Sequence, residues 1–273
     1  GTDDYNGIWQ VEVEDVDSYI IDRAYTTTDT GTGCRVYLRD YSYRAMYEGT
    51  YVGSNLRSLA TGTPMANVAG ATEITRATAN GDGWYTNYRG QHILITYLLW
   101  LISKSNNDQG KFGNGNSNNA SYLNAGTLVS EGQFKGFSTT TQAVKVFYVE
   151  NLWGNYWQRQ AGLLMNSSGV ILMKLCPPYT ITTDTSSAGH ISTGITRAGT
   201  SGDPLAQADV QAEHGLIPKQ TGGTTSQNYC CGFWFANPTS GQFHYALGGG
   251  ARENAGRCGA GAVNLTFVLS GVG

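Results

Sequence analysis

The residue types that carry out most enzymatic chemistry are present, but their spacing matches no catalytic motif. The four histidines lack the close spacing of a zinc site: His92, His190, His214 and His244. The glycine-rich stretches lack the lysine of a phosphate-binding loop, and no Gly-x-Ser-x-Gly nucleophile motif occurs. Four acids in one polar stretch could provide a glycosidase carboxylate pair: Asp184, Asp203, Asp209 and Glu213. Because solvated loop acids are typical of such a stretch, we expect no enzymatic activity, with a glycan-active enzyme as the lesser alternative.

The cysteines indicate thiols rather than a disulfide framework or a zinc site. Their number is odd and no pair has the Cys-x-x-Cys spacing: Cys34, Cys176, Cys230, Cys231 and Cys258. This usage is typical of folding in a reducing cytoplasm. The N-terminus begins Gly1-Thr2-Asp3 and shows no signal peptide, so we expect release from the cell by lysis rather than secretion.

One short segment concentrates residues that can hold an irregular loop in place. It contains two asparagines, a glycine and two tryptophans: Asn151, Trp153, Gly154, Asn155 and Trp157. Glycine permits a tight turn, asparagine side chains replace backbone partners, and tryptophans bury a large area. We therefore expect these residues to hold the fold, with Tyr156 and Arg159 exposed between them. Calcium bound by Glu150, Asn151 and Asn155 is an alternative, but the spacing fits a turn network equally, and no cofactor is expected.

The surrounding pattern predicts an α+β fold, because strands and helices occur in separate runs rather than in alternation. Residues 1–48 alternate in the manner of strands, with one strand candidate at 34–39. Helices are expected at 73–80, with Thr72 as N-cap, and at 88–105, whose apolar centre, including Trp100 and Leu101, must be buried. The pattern then predicts, in order, a polar loop at 105–121, a strand at 144–149, a hairpin at 162–175, a surface stretch at 180–202, and strands at 231–236, 243–247 and 263–269.

The composition argues against two classes of partner. The 273 residues include 37 glycines and only 14% charged side chains, which indicates a loop-rich, β-containing body. A net charge of −3 leaves no basic footprint, so we expect no nucleic-acid binding. The longest apolar run, residues 93–102, is too short to cross the ~30 Å hydrocarbon core of a bilayer, so no membrane insertion is expected.

The segment at 151–157 belongs to a longer run at residues 146–162, Val-Phe-Tyr-Val-Glu-Asn-Leu-Trp-Gly-Asn-Tyr-Trp-Gln-Arg-Gln-Ala-Gly. This run is similar to the Asn-x-x-Gly-Asn-x-Trp-x-x-x-x-Gly motif of C-type-lectin-like domains of the formylglycine-generating-enzyme type. Residues 76–84, followed by the apolar helix, look like that family's two-helix half. Residues 247–250, with Gly248 and Gly249 as structural glycines, and residues 256–260 resemble its Arg-Gly-Gly and Arg-Cys-Ala endings.

The resemblance implies a C-type-lectin-like fold, with two helices packed on a small, loop-rich antiparallel sheet. It places this domain at 49–273. Residues 1–48, with their strand alternation, then form an N-terminal β-strand unit for oligomerisation or attachment, or supply the first strands of the main sheet. In such domains the last loops and strands present solvent-facing residues for recognition. Here these would be Trp234, Phe235, Asn237, Arg252, Glu253, Asn254 and Arg257, with Tyr156 and Arg159 at the edge. The alternative for Trp234 and Phe235 is a core position, since adjacent strand residues face opposite sides.

The spacing Asn-x-Trp-Gly-Asn-x-Trp-x-Arg looks most like domains of phage tail and structural proteins, and of diversity-generating-retroelement variable proteins. This implies a receptor-binding adhesin of a phage or prophage particle, such as a homotrimeric tail fibre, which recognises a bacterial surface protein or glycan. The chain would be made in the bacterial cytoplasm and carried by the virion. A structural virion component, such as a head-decoration or fibre protein packed against other virion proteins, is the alternative. The family's catalysis is not implied. The chain has only Cys258 where the family has a reactive cysteine pair, and Leu247 stands where the family's Arg-Gly-Gly ending has its arginine.

Overall fold

The computed structural model describes two short backbone stretches and most of the chain that follows them. These are residues 11–13 and 19–21, and then residues 43–175, 177–211, 214–223, 231–236, 242–252 and 256–268, without the side chains of 183 and 184. Several positions singled out in the sequence lie outside the described residues: Cys34, Cys176, Glu213, Cys230, Asn237, Glu253, Asn254 and the strand candidate at 34–39.

Two small hairpins come first in the chain. Strand β1 (Val11–Val13) pairs antiparallel with β2 (Tyr19–Ile21), which agrees with the strand character expected of this region. Strand β3 (Gly49–Val52) pairs in the same way with β4 (Asn55–Ser58). The turn between β3 and β4 contains Gly53 at φ 61°, a conformation that glycine adopts without steric cost.

Three helices follow, at α1 (Gly70–Thr78), α2 (Arg89–Ser103) and α3 (Asp108–Phe112). The first begins earlier than expected, so the prediction of Thr72 as its N-cap was wrong; Ala69 holds that position. Its first residue, Gly70, lies against Arg159, because a Cβ there would be 2.0 Å from the guanidinium. The third helix lies inside the stretch predicted to be a polar loop, and the Asn107 side chain caps it by accepting from the N–H of Gly110.

Helix α2 is not buried on all sides, which corrects the expectation drawn from its apolar sequence. His92, Thr96 and Leu99 face the interior, whereas Leu101 is 74% exposed. Three further apolar side chains share the outward face with Leu101: Leu94, Leu98 and Ile102. Within the part of the chain that the structure describes, no layer covers this face.

The second half of the chain is mostly strand. In chain order its elements are β5 (Lys145–Val146), β6 (Val149–Glu150), β7 (Gln158–Met165), β8 (Val170–Met173), α4 (Ile181–Thr185), β9 (Ile191–Thr196), β10 (Leu205–Gln211), β11 (Gly215–Thr221), β12 (Phe233–Phe235), β13 (His244–Gly249) and β14 (Gly259–Phe267). The predicted hairpin is present as β7 and β8, and the three predicted C-terminal strands correspond to β12, β13 and β14. Helix α4 and strand β9 lie in the stretch predicted to be irregular surface.

Six of these strands form the central sheet, in the order β12-β14-β13-β7-β8-β9. Strands β12 and β14 run parallel, and the other neighbours are antiparallel, so the expected antiparallel sheet contains one parallel pair. Strands β10 and β11 form a separate antiparallel pair. The architecture is thus α+β, as predicted, and dominated by sheet.

The predicted strand at 144–149 is in fact a tight hairpin formed by β5 and β6. Phe147 (φ 49°) and Tyr148 (φ 64°) form its two-residue turn, with both residues in the left-handed region. This geometry is that of a type I′ turn, which matches the twist of two antiparallel strands. The turn places Lys145 opposite Glu150 in the ladder, and both side chains are buried.

The sheet is buried on both faces. Leu163 belongs to the core cluster of Ile93 in α2, whereas its neighbour Leu164 belongs to the cluster of Ile74 in α1. Because successive strand residues face opposite sides, α1 and α2 pack on opposite faces of the sheet. Among the described residues, no helix is both long enough and apolar enough to cross a membrane.

Candidate functional site

The segment at 151–157 connects β6 to β7 and is attached to the loop that follows β13. The N–H of Gly154 donates to the Gly250 carbonyl at 3.2 Å, and the N–H of Arg252 donates to the Asn155 carbonyl at 3.1 Å. Trp153 is fully buried, and its indole N–H donates to the Gly113 carbonyl at 3.1 Å. The segment therefore fixes the backbone of two loops from within the core.

Asn155 uses its whole amide group in these attachments. Its Oδ1 accepts from Asn116 Nδ2 and from the N–H of Leu123, both at 2.9 Å. Its Nδ2 donates to Glu48 Oε2 at 2.6 Å and to the Leu123 carbonyl at 3.1 Å. An amide has two donor hydrogens and two acceptor lone pairs, so this side chain is saturated.

Beneath the surface, Glu48 joins three asparagines in one hydrogen-bonded group. We call this structural support the buried base: Glu48, Asn116, Asn151 and Asn155. The Glu48 carboxylate accepts from Asn155, from Asn151 Nδ2 at 3.2 Å and from the N–H of Tyr156 at 3.2 Å. Burial raises the pKa of Glu48 to about 8, and nearby Glu150 adds to the rise. The three hydrogen bonds oppose this rise without cancelling it.

A second buried acid, Glu150, is held by the loop at residues 126–128. Its carboxylate accepts from the three backbone N–H groups of this loop at 2.9–3.0 Å and from the Thr127 hydroxyl at 3.1 Å. Across the hairpin, Lys145 Nζ donates to the carbonyls of Leu128 and Glu131 at 2.7 and 2.9 Å. The two buried charges therefore hold the same loop, one through its donors and one through its acceptors.

The geometry at Glu150, Asn151 and Asn155 does not converge on a single cation position. Glu150 directs both oxygens at loop N–H groups, while the two asparagines direct their nitrogens at Glu48. Across the described residues, no group of three or more His, Cys, Asp or Glu side chains is arranged to hold a metal ion. Calcium binding thus gains no support at the positions that the sequence suggested.

Above the buried base lies an aromatic group, the tyrosine–arginine cluster, formed by Tyr122, Tyr156 and Arg252. The two rings stack with centroids 3.8 Å apart and planes 7° from parallel. The Arg252 guanidinium lies 4.6 Å from the centroid of Tyr122 and donates to the Asn119 carbonyl at 2.8 Å. Tyr122 remains 42% exposed although its ring contacts Tyr156 and Arg252. Burial, Glu48 and Tyr122 all raise the pKa of Tyr156.

A second group, the tryptophan–arginine cluster, is formed by Trp157, Trp234 and Arg257. The two indoles meet edge to face with centroids 5.0 Å apart. Arg257 Nη1 donates to the Gly202 carbonyl at 2.6 Å, and a Cβ on Gly202 would lie 2.9 Å from Trp234 Nε1. Gly202 therefore allows both side chains to approach one loop. Tyr156 of the first cluster and Trp157 of the second are consecutive in the chain.

The structure brings together four of the residues expected to bind ligand. Tyr156 and Arg252 lie in the first cluster, and Trp234 and Arg257 lie in the second; all four are half-buried. Phe235 is only 6% exposed and packs in the core. This matches the alternative in which only one of two adjacent strand residues faces outward.

Arg159 is also buried, so the expectation that it is exposed was wrong. It is 3% exposed and forms an ion pair with Glu73 at 3.0 Å. Its guanidinium lies 3.8 Å from the centroid of the Tyr245 ring. The charge is satisfied in the interior, between α1 and the sheet.

Of the two structural glycines, Gly248 lies against the Gln160 side chain and Gly249, at φ 87°, lies against the Leu152 carbonyl.

Sequence reasoning missed Tyr122, Asn119 and Glu48. The available signal for Tyr122 is its type, since a tyrosine stands out in a stretch of Asn, Ser and Gly. Glu48 has no local signal, because it acts on residues more than 100 positions away. It is the last residue of the N-terminal unit that the sequence suggested, yet it is hydrogen-bonded inside the body of the protein.

Two further buried polar groups lie where α2 meets β14. Asp108 is fully buried, accepts from Trp100 Nε1 and the N–H of Ala260, and has its pKa raised to about 7 by burial. His92, also buried, bonds the Ala260 carbonyl at 2.6 Å, so both groups hold β14 against α2 rather than face solvent.

A shallow depression beside α1 has no carboxylate in its lining: Tyr51, Ser54, Ala71, Thr72, Thr75 and Arg76.

Comparisons with known proteins do not assign the chain to a family. No protein-family model matches it, and no curated protein matches it significantly. The two surface clusters and the buried base are therefore the features from which its function has to be inferred.

Proposed function

We propose that the protein is a non-enzymatic binding module that recognises its ligand through the tyrosine–arginine cluster, with the tryptophan–arginine cluster as a second contact surface. The observation that carries this proposal is the position of Tyr122. Tyr122 is 42% exposed, yet the centroid of its ring lies 3.8 Å from that of Tyr156 and 4.6 Å from the Arg252 guanidinium. Tyrosine, tryptophan and arginine dominate binding hot spots because they offer large contact areas.

The buried base supports the proposal, because it orders the surface before any ligand arrives. The backbone of Tyr156 is bonded to Glu48, and that of Arg252 to Asn155. Side chains and loops that are already ordered lose less conformational entropy on binding, which strengthens affinity. A binding surface gains from such rigidity even where no catalytic group is present.

In its biological setting, we propose a receptor-binding adhesin of a phage or prophage particle, with a C-type-lectin-like fold. The motif at 151–162 supports this through its resemblance to lectin-like domains of phage proteins. The ligand would be a protein or glycan on the bacterial surface, since stacked aromatic rings and arginine suit either. The two helices on one six-stranded sheet are compatible with such a scaffold.

The test replaces Tyr122 and Arg252 by alanine, one at a time, and measures adsorption of the labelled, purified chain to a bacterial strain that the wild type binds. We expect binding to weaken about tenfold or more, the effect of a hot-spot truncation. Tyr51→Ala is the matched control, because Tyr51 is another exposed tyrosine covered by an arginine, Arg76 at 3.5 Å. If Tyr122→Ala, Arg252→Ala and Tyr51→Ala all bind like the wild type, this surface is not the binding site.

The outward face of α2 favours a second candidate, a structural virion component. Large exposed apolar patches mark contacts with other proteins, and this face carries four exposed apolar side chains. A structural component would lose particle assembly when the α2 face is changed and would be indifferent to Arg252→Ala. An adhesin would assemble with Arg252→Ala and fail to adsorb.

A further inference from the structure

Two arginines lie near the start of α2 with no acid beside them. Arg89 is the first residue of α2 and is 1% exposed, while Arg44 is half-buried with its Nη1 atom shielded from solvent. Among the described residues, no carboxylate lies within ion-pair distance of either guanidinium. Their electrostatic neighbours are the hydroxyls of Tyr88 and Tyr97 and the Cys231 thiol. Burial lowers the pKa of both arginines to about 10, so both stay charged at neutral pH.

Two glutamines of β7 bring these guanidinium groups close together. Arg89 Nη1 donates to Gln160 Oε1 at 2.8 Å, and Arg44 Nη2 donates to Gln158 Oε1 at 3.1 Å. The two glutamines are separated by one residue, so their side chains leave the same face of the strand, about 7 Å apart. His92, one turn along α2 from Arg89, is influenced electrostatically by both arginines. The two guanidinium groups therefore share one region of the interior, beside α2 and β7.

Three donor atoms in this region have no acceptor among the described residues: Arg89 Nε, Arg44 Nη1 and Gln160 Nε2. Gln160 Nε2 belongs to the amide whose oxygen contacts Arg89, so it lies beside that guanidinium. Burial and both arginines lower the pKa of His92, which keeps its ring neutral. Its Nε2 donates to the Ala260 carbonyl, so Nδ1, which also has no partner within the described chain, carries the lone pair. Because unpaired buried charges are costly, the region requires an acceptor that also balances two positive charges.

The end of α2 adds to this positive charge instead of balancing it. The N-terminus of a helix carries a partial positive charge, which acidic side chains normally offset. The first turn of α2 contains no acidic residue, and its N-cap, Tyr88, makes no side-chain hydrogen bond to the helix. Arg89 therefore places a full positive charge where a negative one is favoured.

We propose that Arg44, Arg89 and Gln160 bind a small monovalent anion, of the size of chloride, in the interior beside α2 and β7. Such an ion accepts from several donors at once and neutralises charge, whereas a water molecule does only the first. A phosphate has more oxygens than three donors satisfy. It would also have to fit among side chains that are at most 1% exposed, those of Arg89, His92 and Gln160. None of the three binding residues belongs to either surface cluster, so this site is separate from the proposed adhesin surface.

The first experiment measures thermal unfolding of the full chain in potassium chloride and in potassium gluconate at equal ionic strength. Gluconate is too large for an enclosed site, so the gluconate series reports the general effect of salt. An ion that binds only the folded state stabilises it by mass action. We expect a ~100-fold excess of chloride over its Kd to raise the Tm by roughly 5 °C above the gluconate value.

The substitution Arg44→Met tests the site itself, because it removes one charge and its donors while keeping a long, unbranched side chain. We expect this variant to have the same Tm in chloride and in gluconate. Arg76→Met is the matched control, because Arg76 is another half-buried arginine and lies on α1 against the ring of Tyr51. The control should keep the wild-type response to chloride.

Wild-type crystals grown in bromide give a second readout that does not depend on the folding of any variant. We expect anomalous scattering from one ion within hydrogen-bond distance of Arg89 Nε and Gln160 Nε2. Absence of that signal would overturn the proposal. So would a wild-type Tm that is the same in both salts, or a chloride response that persists in Arg44→Met. Failure here leaves cell binding by Tyr122 and Arg252 unaffected, so the two proposals are tested separately.

Discussion

Glu48 is the residue on which the buried base depends, since three different donors converge on its carboxylate. Two of them are side-chain amides and the third is the N–H of Tyr156, a member of the tyrosine–arginine cluster. A carboxyl group taken out of water favours its neutral form, and the pKa of Glu48 accordingly rises to about 8. The folded state therefore favours the neutral form of this acid more than the unfolded chain does.

This makes stability depend on pH in a defined direction. The folded state holds the Glu48 proton more tightly than the unfolded chain, in which the pKa is near 4.5. The stabilising contribution is therefore fully present below pH 4.5 and is lost as the pH rises through about 8. We expect Glu48→Gln, which is neutral at every pH, to flatten the fall in the free energy of unfolding, measured by urea denaturation across this range.

Part of the slope should survive in Glu48→Gln, because burial also raises the pKa of Asp108, to about 7, and acts in the same direction. Glu131→Gln, which removes a partly exposed carboxylate that pairs with Lys135 at 3.4 Å, is the control and should keep the wild-type profile. Identical profiles for Glu48→Gln and the wild type would show that Glu48 is not protonated in the folded state.

Residue type alone predicted the role of side chains that organise the loop in which they lie. Asn151, Gly154 and Asn155 were expected to organise a loop, and Asn155 and Gly154 make backbone or amide bonds of that kind. The partners of these residues were not predictable. Glu48 and Asn155 are 107 positions apart, and no local periodicity connects them. Exposure was the least predictable property: Arg159 follows Tyr156 and Trp157 but turns inward to Glu73.

Elements with a strong period or a strong turn signal were predicted well. The run Asn-Ser-Ser-Gly after Met165 predicted the hairpin of β7 and β8, and the Asn166 side chain accepts from the N–H groups of Ser168 and Val170 there. The hairpin of β5 and β6 was missed because its turn consists of Phe147 and Tyr148. Type I′ turns usually contain Asn-Gly, so two aromatic residues gave no turn signal.

The β5–β6 turn leads to a prediction about conformational cost. Tyr148 has a φ of 64° and is 51% exposed. A residue with a Cβ pays about 1 kcal/mol in the left-handed region, and glycine does not. We expect Tyr148→Gly to be more stable than Tyr148→Ala by about 1 kcal/mol in denaturant unfolding, since both lose the same ring.

The comparison of glycine with alanine has its own control at an ordinary backbone position. Val52, on β3, is similarly exposed but has no left-handed conformation. There we expect Val52→Ala to be more stable than Val52→Gly, because glycine weakens a strand. Equal stabilities of Tyr148→Gly and Tyr148→Ala would mean that the turn relaxes to another conformation.

At the scale of the whole molecule, Asn155 joins segments that are distant in the chain. Through its amide and carbonyl it bonds Glu48, Asn116, Leu123 and Arg252. The N-terminal part and the loop after α3 therefore meet at one buried side chain, while the loop after β13 bonds the backbone carbonyl of the same residue. Loss of that side chain should loosen the first two together.

We expect Asn155→Ala to lower the free energy of unfolding by about 3 kcal/mol, because it leaves several buried donors and acceptors without partners. Hydrogen exchange at Leu123, whose N–H bonds the amide, should speed up. Asn118→Ala is the control: this asparagine lies in the same loop with an exposed side chain and should change stability little. If the two variants unfold at the same denaturant concentration, the amide network does not stabilise the fold.

The contacts that hold the tyrosine–arginine cluster in place have a consequence for how the sequence can change over generations. Tyr156 is bonded to Glu48 through its backbone N–H, Arg252 to Asn155 through its N–H, and Asn119 to Arg252 through its N–H. None of these bonds requires the side chain at 156 or 252, whereas the Asn119 side chain itself bonds Asn116 and the N–H of Ser121. Mutation can therefore replace the outward side chains while the loops keep their shape. A surface built in this way can acquire a new specificity without having to evolve a new fold.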